Sequence, residues 1–330
     1  MILDIFQALS GLLLLIVAGD ILVRGSVAIA DRLEVPPLVI GLTIVAFGTS
    51  APELFVSVDA VLRGAAPLAL GNVVGSNIAN ALLVVGLPAV ISPLSCSTPR
   101  LNRNMLIMIG ASIVFIVLGL SGSYGRLQGG ILLAGLAAFL LYSGRRAARN
   151  PEAAEDILDF QEEIGEVRGR LWLAILMVGG GIIGLVYGAD LLVGGSVAIA
   201  TRLGVSEAVI GLTLVALGTS LPELATSIAA ALRCHCDVAL GNVIGSNIFN
   251  VLGIMGVASS VGPVPVPEGF LVVDFWVMLG ASLIILPFTL RRVAIGRLAG
   301  VLLVGLYCAY IGWLAIGSDT GAEQAEVRAG

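Results

Sequence analysis

The sequence predicts an all-α integral membrane protein whose ten transmembrane helices form two inverted five-helix repeats. Three observations carry that prediction. The 330 residues are 58% hydrophobic and only 12% charged, with a mean hydropathy of +1.06, whereas a soluble domain carries about 25% charged residues. Ten apolar stretches are each long enough to cross a bilayer core, which takes roughly 20 residues. And the stretch from Gly41 to Gly86 occurs twice. It returns from Gly211 to Gly256 at a constant offset of 170 residues, with 27 of 46 positions identical and no gap. A repeat of that length is a duplicated half-protein rather than a solenoid unit.

The expected spans run over about 5–30, 37–62, 67–91, 104–120 and 126–144 in the first half. In the second they run over about 170–200, 207–232, 237–260, 270–290 and 295–316. The first begins without a basic region and ends without a small-residue cleavage site, so it is expected to be retained rather than removed as a signal peptide. The first and sixth stretches exceed what a span needs, which implies tilt or extension past the interface. The organisation is therefore a first repeat over 1–144 containing the 41–86 motif, an acidic linker over 145–169, a second repeat over 170–317 containing the 211–256 motif, and a polar C-terminal tail over 318–330. The linker holds Glu152, Glu155, Asp156, Asp159, Glu162, Glu163 and Glu166 without the spacing of an EF-hand loop, and reads as a solvated connection.

All 17 basic residues are arginine. With the N-terminus outside, 13 of them fall on or near the cytoplasmic face, leaving Arg63, Arg126, Arg202 and Arg328 outside. The positive-inside rule thus places both termini outside and the linker in the cytoplasm; a plasma or bacterial inner membrane is the expected location. Five spans per half is an odd number, so the second half enters the membrane the other way up, the architecture of many secondary transporters. The net charge of −5 points to no nucleic-acid partner. Cys96, Cys234, Cys236 and Cys308 make no disulfide framework, and Cys234-His235-Cys236 is too short a triplet to wrap a tetrahedral metal.

Each copy of the motif contains G-T-S-x-P-E, as Gly48 to Glu53 and as Gly218 to Glu223. Proline lacks an N–H and clashes with the carbonyl four residues back, so each helix is expected to break there and free backbone carbonyls. At membrane depth such carbonyls persist only where something satisfies them, and a cation does so. The next span carries G-N-x-x-G-S-N-x-x-N, whose Asn72, Ser76, Asn77 and Asn80 match Asn242, Ser246, Asn247 and Asn250 as neutral oxygen donors. Many small residues here, Gly41, Gly71 and Gly75 among them, suit close helix packing. Packing does not explain Glu53 and Glu223, since an intramembrane acid costs a few kcal/mol. Two carboxylates with hydroxyls, carboxamides and carbonyls form an all-oxygen set, which selects hard cations. Among the other acids, Asp20 is expected to pair with Arg24 four residues on, Asp59 to serve packing or an interface, and Asp190 has no assigned role.

These doubled strings resemble the α1 and α2 repeats of the cation/calcium exchanger superfamily, in particular short prokaryotic members of its sodium/calcium exchanger branch. The resemblance covers nearly the whole chain outside the linker. It implies a ten-helix inverted-repeat fold with four cation positions between the repeats. It further implies an antiporter, not an enzyme, that exchanges Ca2+ for Na+ by alternating access, with the lipid bilayer and the two ions as its partners and no cofactor; a monomer is expected. Carried over residue by residue, the ligands would be Glu53, Glu223, Ser50, Ser220, Ser76 and Ser246, with the backbone oxygens of Ala46, Thr49, Ala216 and Thr219, and Asn80 and Asn250 near the centre. Several members carry Asp at the position of Asn250, potassium-dependent ones among them, so the asparagine argues against potassium co-transport. Two alternatives stand beside this reading: an H+/Ca2+ antiporter using the same glutamates, and a passive cation channel. A membrane hydrolase built on Ser50 or Ser220 would lack a histidine base.

Overall fold

The structure is a computed structural model and describes residues 1–32, 50–94, 99–147, 171–232 and 236–329. Apart from one two-residue strand pair and an isolated bridge, its ordered elements are helices. Eight described helices are long and apolar enough to span a membrane, and a bent pair over 207–232 makes a ninth. They correspond to nine of the ten expected spans. The remaining one, 37–62, lies partly outside the described residues and contributes the helix Ala51–Leu62.

In chain order, α1 is Ile2–Arg32, α2 Ala51–Leu62, and α3 Ala66–Ala79. A π-helical turn, Asn80–Val84, leads directly into α4, Val85–Ile91. Then follow α5 Pro99–Gly119 and α6 Arg126–Ala147. The second half opens with α7, Leu171–Leu203. Next come the short α8, Glu207–Ile210, a π turn over Gly211–Val215, and α9, Ala216–Thr219. α10 is Leu221–Leu232 and α11 Cys236–Phe249, which passes through a π turn at Asn250–Ile254 into α12, Met255–Val261. A last π turn, Phe270–Asp274, precedes α13, Phe275–Arg291, and α14 runs from Arg297 to Ala329, so the polar tail continues a helix.

The boundaries of α2, α3, the first π turn and α4 recur in α10, α11, the third π turn and α12, each shifted by 170 residues. Local chemistry accounts for them. Pro52 and Pro67 sit in the first helical turns of α2 and α3, where a missing N–H costs nothing. Gly64 closes α2 in the left-handed region at φ +81°, with Ala65 N–H donating to the Ala60 carbonyl at 2.8 Å, an ending that glycine adopts without strain.

The α3–α4 and α11–α12 spans form the centre, with 83% and 78% of their apolar windows buried inside the protein; no other single-helix span exceeds 44%. Glycine makes the closest approaches there. A Cβ on Gly71 would lie 2.4 Å from the Ala208 carbonyl, and one on Gly211 would lie 2.5 Å from that of Leu68. The packing expected of Gly71 and Gly75 is therefore present, whereas Gly41 lies outside the described residues. On the flank, α1 and α7 run antiparallel along a seam in which Gly11 meets Gly188 and Leu192, Gly195 meets Ala8, and Gly25 meets Ala174. Small residues let the two backbones touch.

The loops are tied at both ends. Ser123–Tyr124 pairs antiparallel with Val264–Pro265, and Leu94 pairs with Ile295. The 21-residue α5 separates these two ties, a length of about 32 Å at 1.5 Å per residue, so they clasp opposite ends of the bundle. Near the first, Tyr124 donates to the Phe115 carbonyl at 2.8 Å and stacks on the Phe115 ring.

Candidate functional site

Both glutamates lie at the start of a helix. In the second half the helix pair 207–219 and 221–232 bends by 43° at Ser220, the break that Pro222 was expected to cause. In the first half Ser50 caps α2 with φ −92° and ψ 9°, nearly the backbone of Ser220 at −81° and 3°. Glu53 and Glu223 therefore occupy the first turn of α2 and α10, where the N-terminal end of a helix favours negative charge.

Glu53 is 1% exposed and Glu223 0%. They lie within Coulombic reach of one another, with the Thr219 hydroxyl beside Glu53 and that of Ser50 beside Glu223. Yet none of the four carboxylate oxygens has a hydrogen-bond partner of good geometry. The same hydroxyls also reach across the halves. Thr219 Oγ1 donates to Asn72 Oδ1 at 3.2 Å, and Ser50 Oγ meets Ser246 Oγ at 3.5 Å. Both contacts join one half of the chain to the other.

The neutral donors crowd the same region. Ser76 Oγ, Ser220 Oγ and Asn80 Oδ1 are buried without partners, as are both amide atoms of Asn250. The π turn that begins at Asn80 packs against α10, which bears Glu223, and the turn that begins at Asn250 packs against α2, which bears Glu53. π turns are frequent at functional sites, and here they rotate the chain just where each asparagine stands. Leaving a buried polar atom unsatisfied costs about 1–3 kcal/mol, more for a charged one. So large a cluster of orphaned atoms, nearly all of them oxygens, is the donor set that a hard cation requires.

Of the backbone positions, the structure describes Ala216 and Thr219. The Ala216 carbonyl is not freed by the break, because it accepts from the Ser220 N–H at 3.1 Å. One turn of helix survives up to the bend, so any further role for this oxygen rests on its second lone pair. Thr219 stands beside it and is fully buried. Ala46 and Thr49, its expected counterparts, lie outside the described residues.

Several partnerships were not legible in the sequence. Asn72 is a cross-brace, donating to Ser57 Oγ at 3.0 Å and to the Glu53 carbonyl at 3.3 Å while accepting from Thr219. Asn80 donates to Asn247 Oδ1 at 3.1 Å, again across the halves. Asp190, left without a role, pairs with Arg63, which also holds Asp59 at 2.6 Å. That ties the end of α2 to α7 through Arg63. Asp20 pairs with Arg24 at 2.8 Å, as its spacing suggested. The signal for Asn72 was present in the doubled G-N, but nothing in the sequence says which helix it reaches.

Comparison with known proteins identifies the family. The family described as "Sodium/calcium exchanger protein" matches residues 4–145 and 173–316. The sodium/calcium exchanger MaX1 of Methanosarcina acetivorans is 34% identical over 339 residues, covering 92% of this chain and 96% of its own. The inner membrane protein YrbG of Escherichia coli strain K12 is 36% identical over 309 residues, covering 93% and 94%. Among solved structures, the sodium-calcium exchanger NCX_Mj soaked with 2.5 mM Na+ and 0.1 mM Ca2+ superposes with a TM-score of 0.63 at 35% identity, over 94% of this chain and 98% of that one.

Proposed function

This chain belongs to the sodium/calcium exchanger protein family, and from that premise we propose that it is a secondary active antiporter exchanging Ca2+ for Na+ across the membrane. The observation that carries the reading is the pair of fully buried, unpartnered glutamates, one from each copy of a duplicated motif. Two carboxylates balance one Ca2+ or two Na+. The surrounding neutral oxygens complete the shell that Ca2+ fills with 6–8 ligands. In this reading Glu53, Glu223, Ser50, Ser220, Ser76, Ser246, Asn80 and Asn250 face the cations, with backbone oxygens of Ala46, Thr49, Ala216 and Thr219.

The site lies between two five-helix repeats of opposite orientation, and alternating access follows from rocking one set of helices against the other around it. A charge-balanced site crosses the bilayer far more cheaply than an empty one carrying two charges, which couples the ions without any covalent step. Through its resemblance to the sodium/calcium exchanger branch, the G-T-S-x-P-E form of the motif favours Na+ over H+ as the driving ion.

Two measurements test this. Radiolabelled Ca2+ bound to the purified protein should be displaced completely by Na+, with more than one Na+ needed per Ca2+; Ca2+ occupancy indifferent to Na+ contradicts a shared site. In a cysteine-free background, Glu155→Cys should be labelled from the cytoplasmic side only. Labelling from outside intact cells would reverse the orientation while leaving the exchange site intact.

A further inference from the structure

The two halves treat their matching asparagines differently. Asn80 and Asn250 stand 170 residues apart at the first position of matching π turns, and each is at most 1% exposed. Asn80 has one amide atom engaged: its Nδ2 donates to Asn247 Oδ1 at 3.1 Å, while its Oδ1 is buried and free. Asn250 has neither atom engaged. The residue that would hold Asn250 by the same relation is Asn77, but Asn77 Nδ2 turns to Met278 Sδ at 3.6 Å. Asn247 is itself fixed, since its Nδ2 donates to the Asn77 carbonyl at 3.3 Å, which leaves Oδ1 as the atom facing Asn80.

A carboxamide is ambiguous toward a cation. Its oxygen attracts and its NH2 repels, and the two ends are nearly equal in size. An asparagine that serves a cation must therefore be held with its oxygen forward. We propose that Asn247 is the positioning residue that does this for Asn80: by accepting from Nδ2 it makes Asn80 a fixed oxygen donor, whereas Asn250 turns freely with whatever occupies the site. This rests on the exchange reading above and extends it. Groups that orient a ligand from behind typically change metal affinity by about 10–100-fold when removed.

The test is a comparison of backgrounds. Asn247→Ala removes the acceptor, and equilibrium Ca2+ binding to the purified protein should weaken by about 10–100-fold. Asn80→Asp has oxygen at both positions and needs no orienting, so adding Asn247→Ala to Asn80→Asp should change Ca2+ affinity by less than about threefold, a contrast that reflects non-additivity between residues in contact. Asn247→Leu, close in shape to asparagine, serves if the alanine variant does not fold. The Asn77 carbonyl keeps its helical partner, the Asn80 N–H, in either case. An equal loss in both backgrounds would show that Asn247 only packs, and would overturn the proposal with exchange left standing. Unaltered affinity in Asn247→Ala overturns it equally. If the unsubstituted protein binds no Ca2+, the exchange reading falls and takes this inference with it.

Discussion

Glu53→Gln and Glu223→Gln should each abolish Ca2+ exchange, and the double variant should be no worse than either alone. Glutamine keeps the shape and one oxygen but removes a full charge. A dehydrated Ca2+ then faces one carboxylate instead of two. At a separation of about 4 Å and an effective dielectric constant near 20, one charge pair is worth about 4 kcal/mol, close to a thousandfold in affinity. Na+ beside a single carboxylate loses less, so Na+ binding should survive in part. In the proposed site both residues act on the same ion, so their substitution effects should not add. The check is Na+-dependent Ca2+ flux in vesicles for the two single variants and the double. Transport largely intact with one glutamate neutralised would mean that the duplicated acids do not form one site.

The duplication made much of this molecule legible before its structure. Helices follow hydropathy because a bilayer forces every backbone group to be satisfied within its own span, so nine of the ten expected spans are present among the described residues. The bend at Ser220 was legible because proline removes a specific hydrogen bond. Glu53 and Glu223 stood out because an acid in an apolar run has a cost that packing does not explain.

What was not legible depends on which helices meet. The Thr219–Asn72 and Asn80–Asn247 bonds join residues 147 and 167 apart in the chain, and no local pattern encodes such pairings. Arg63 holds Asp190 because the end of α2 lies against α7, a fact of tertiary packing. The π turns at Asn80 and Asn250 are invisible to an apolar count, since one extra residue per turn changes facing and not composition. Nor could the sequence predict that Asn247 and Asn77, identical in type and matched in position, would find different partners. Nor does an apolar count show that one helical turn survives up to the bend, keeping the Ala216 carbonyl hydrogen-bonded to the Ser220 N–H.

Ca2+ uptake into proteoliposomes under imposed ion gradients tests the central claim most directly. Vesicles loaded with Na+ and diluted into Na+-free medium containing radiolabelled Ca2+ should accumulate the label well above its external concentration. The accumulation should collapse when Na+ is equal on both sides, and a proton gradient alone should drive none. Uptake that follows the proton gradient would make the two glutamates proton carriers. Equilibration of Ca2+ down its own gradient, indifferent to any counter-ion, would make the protein a channel and contradict exchange outright.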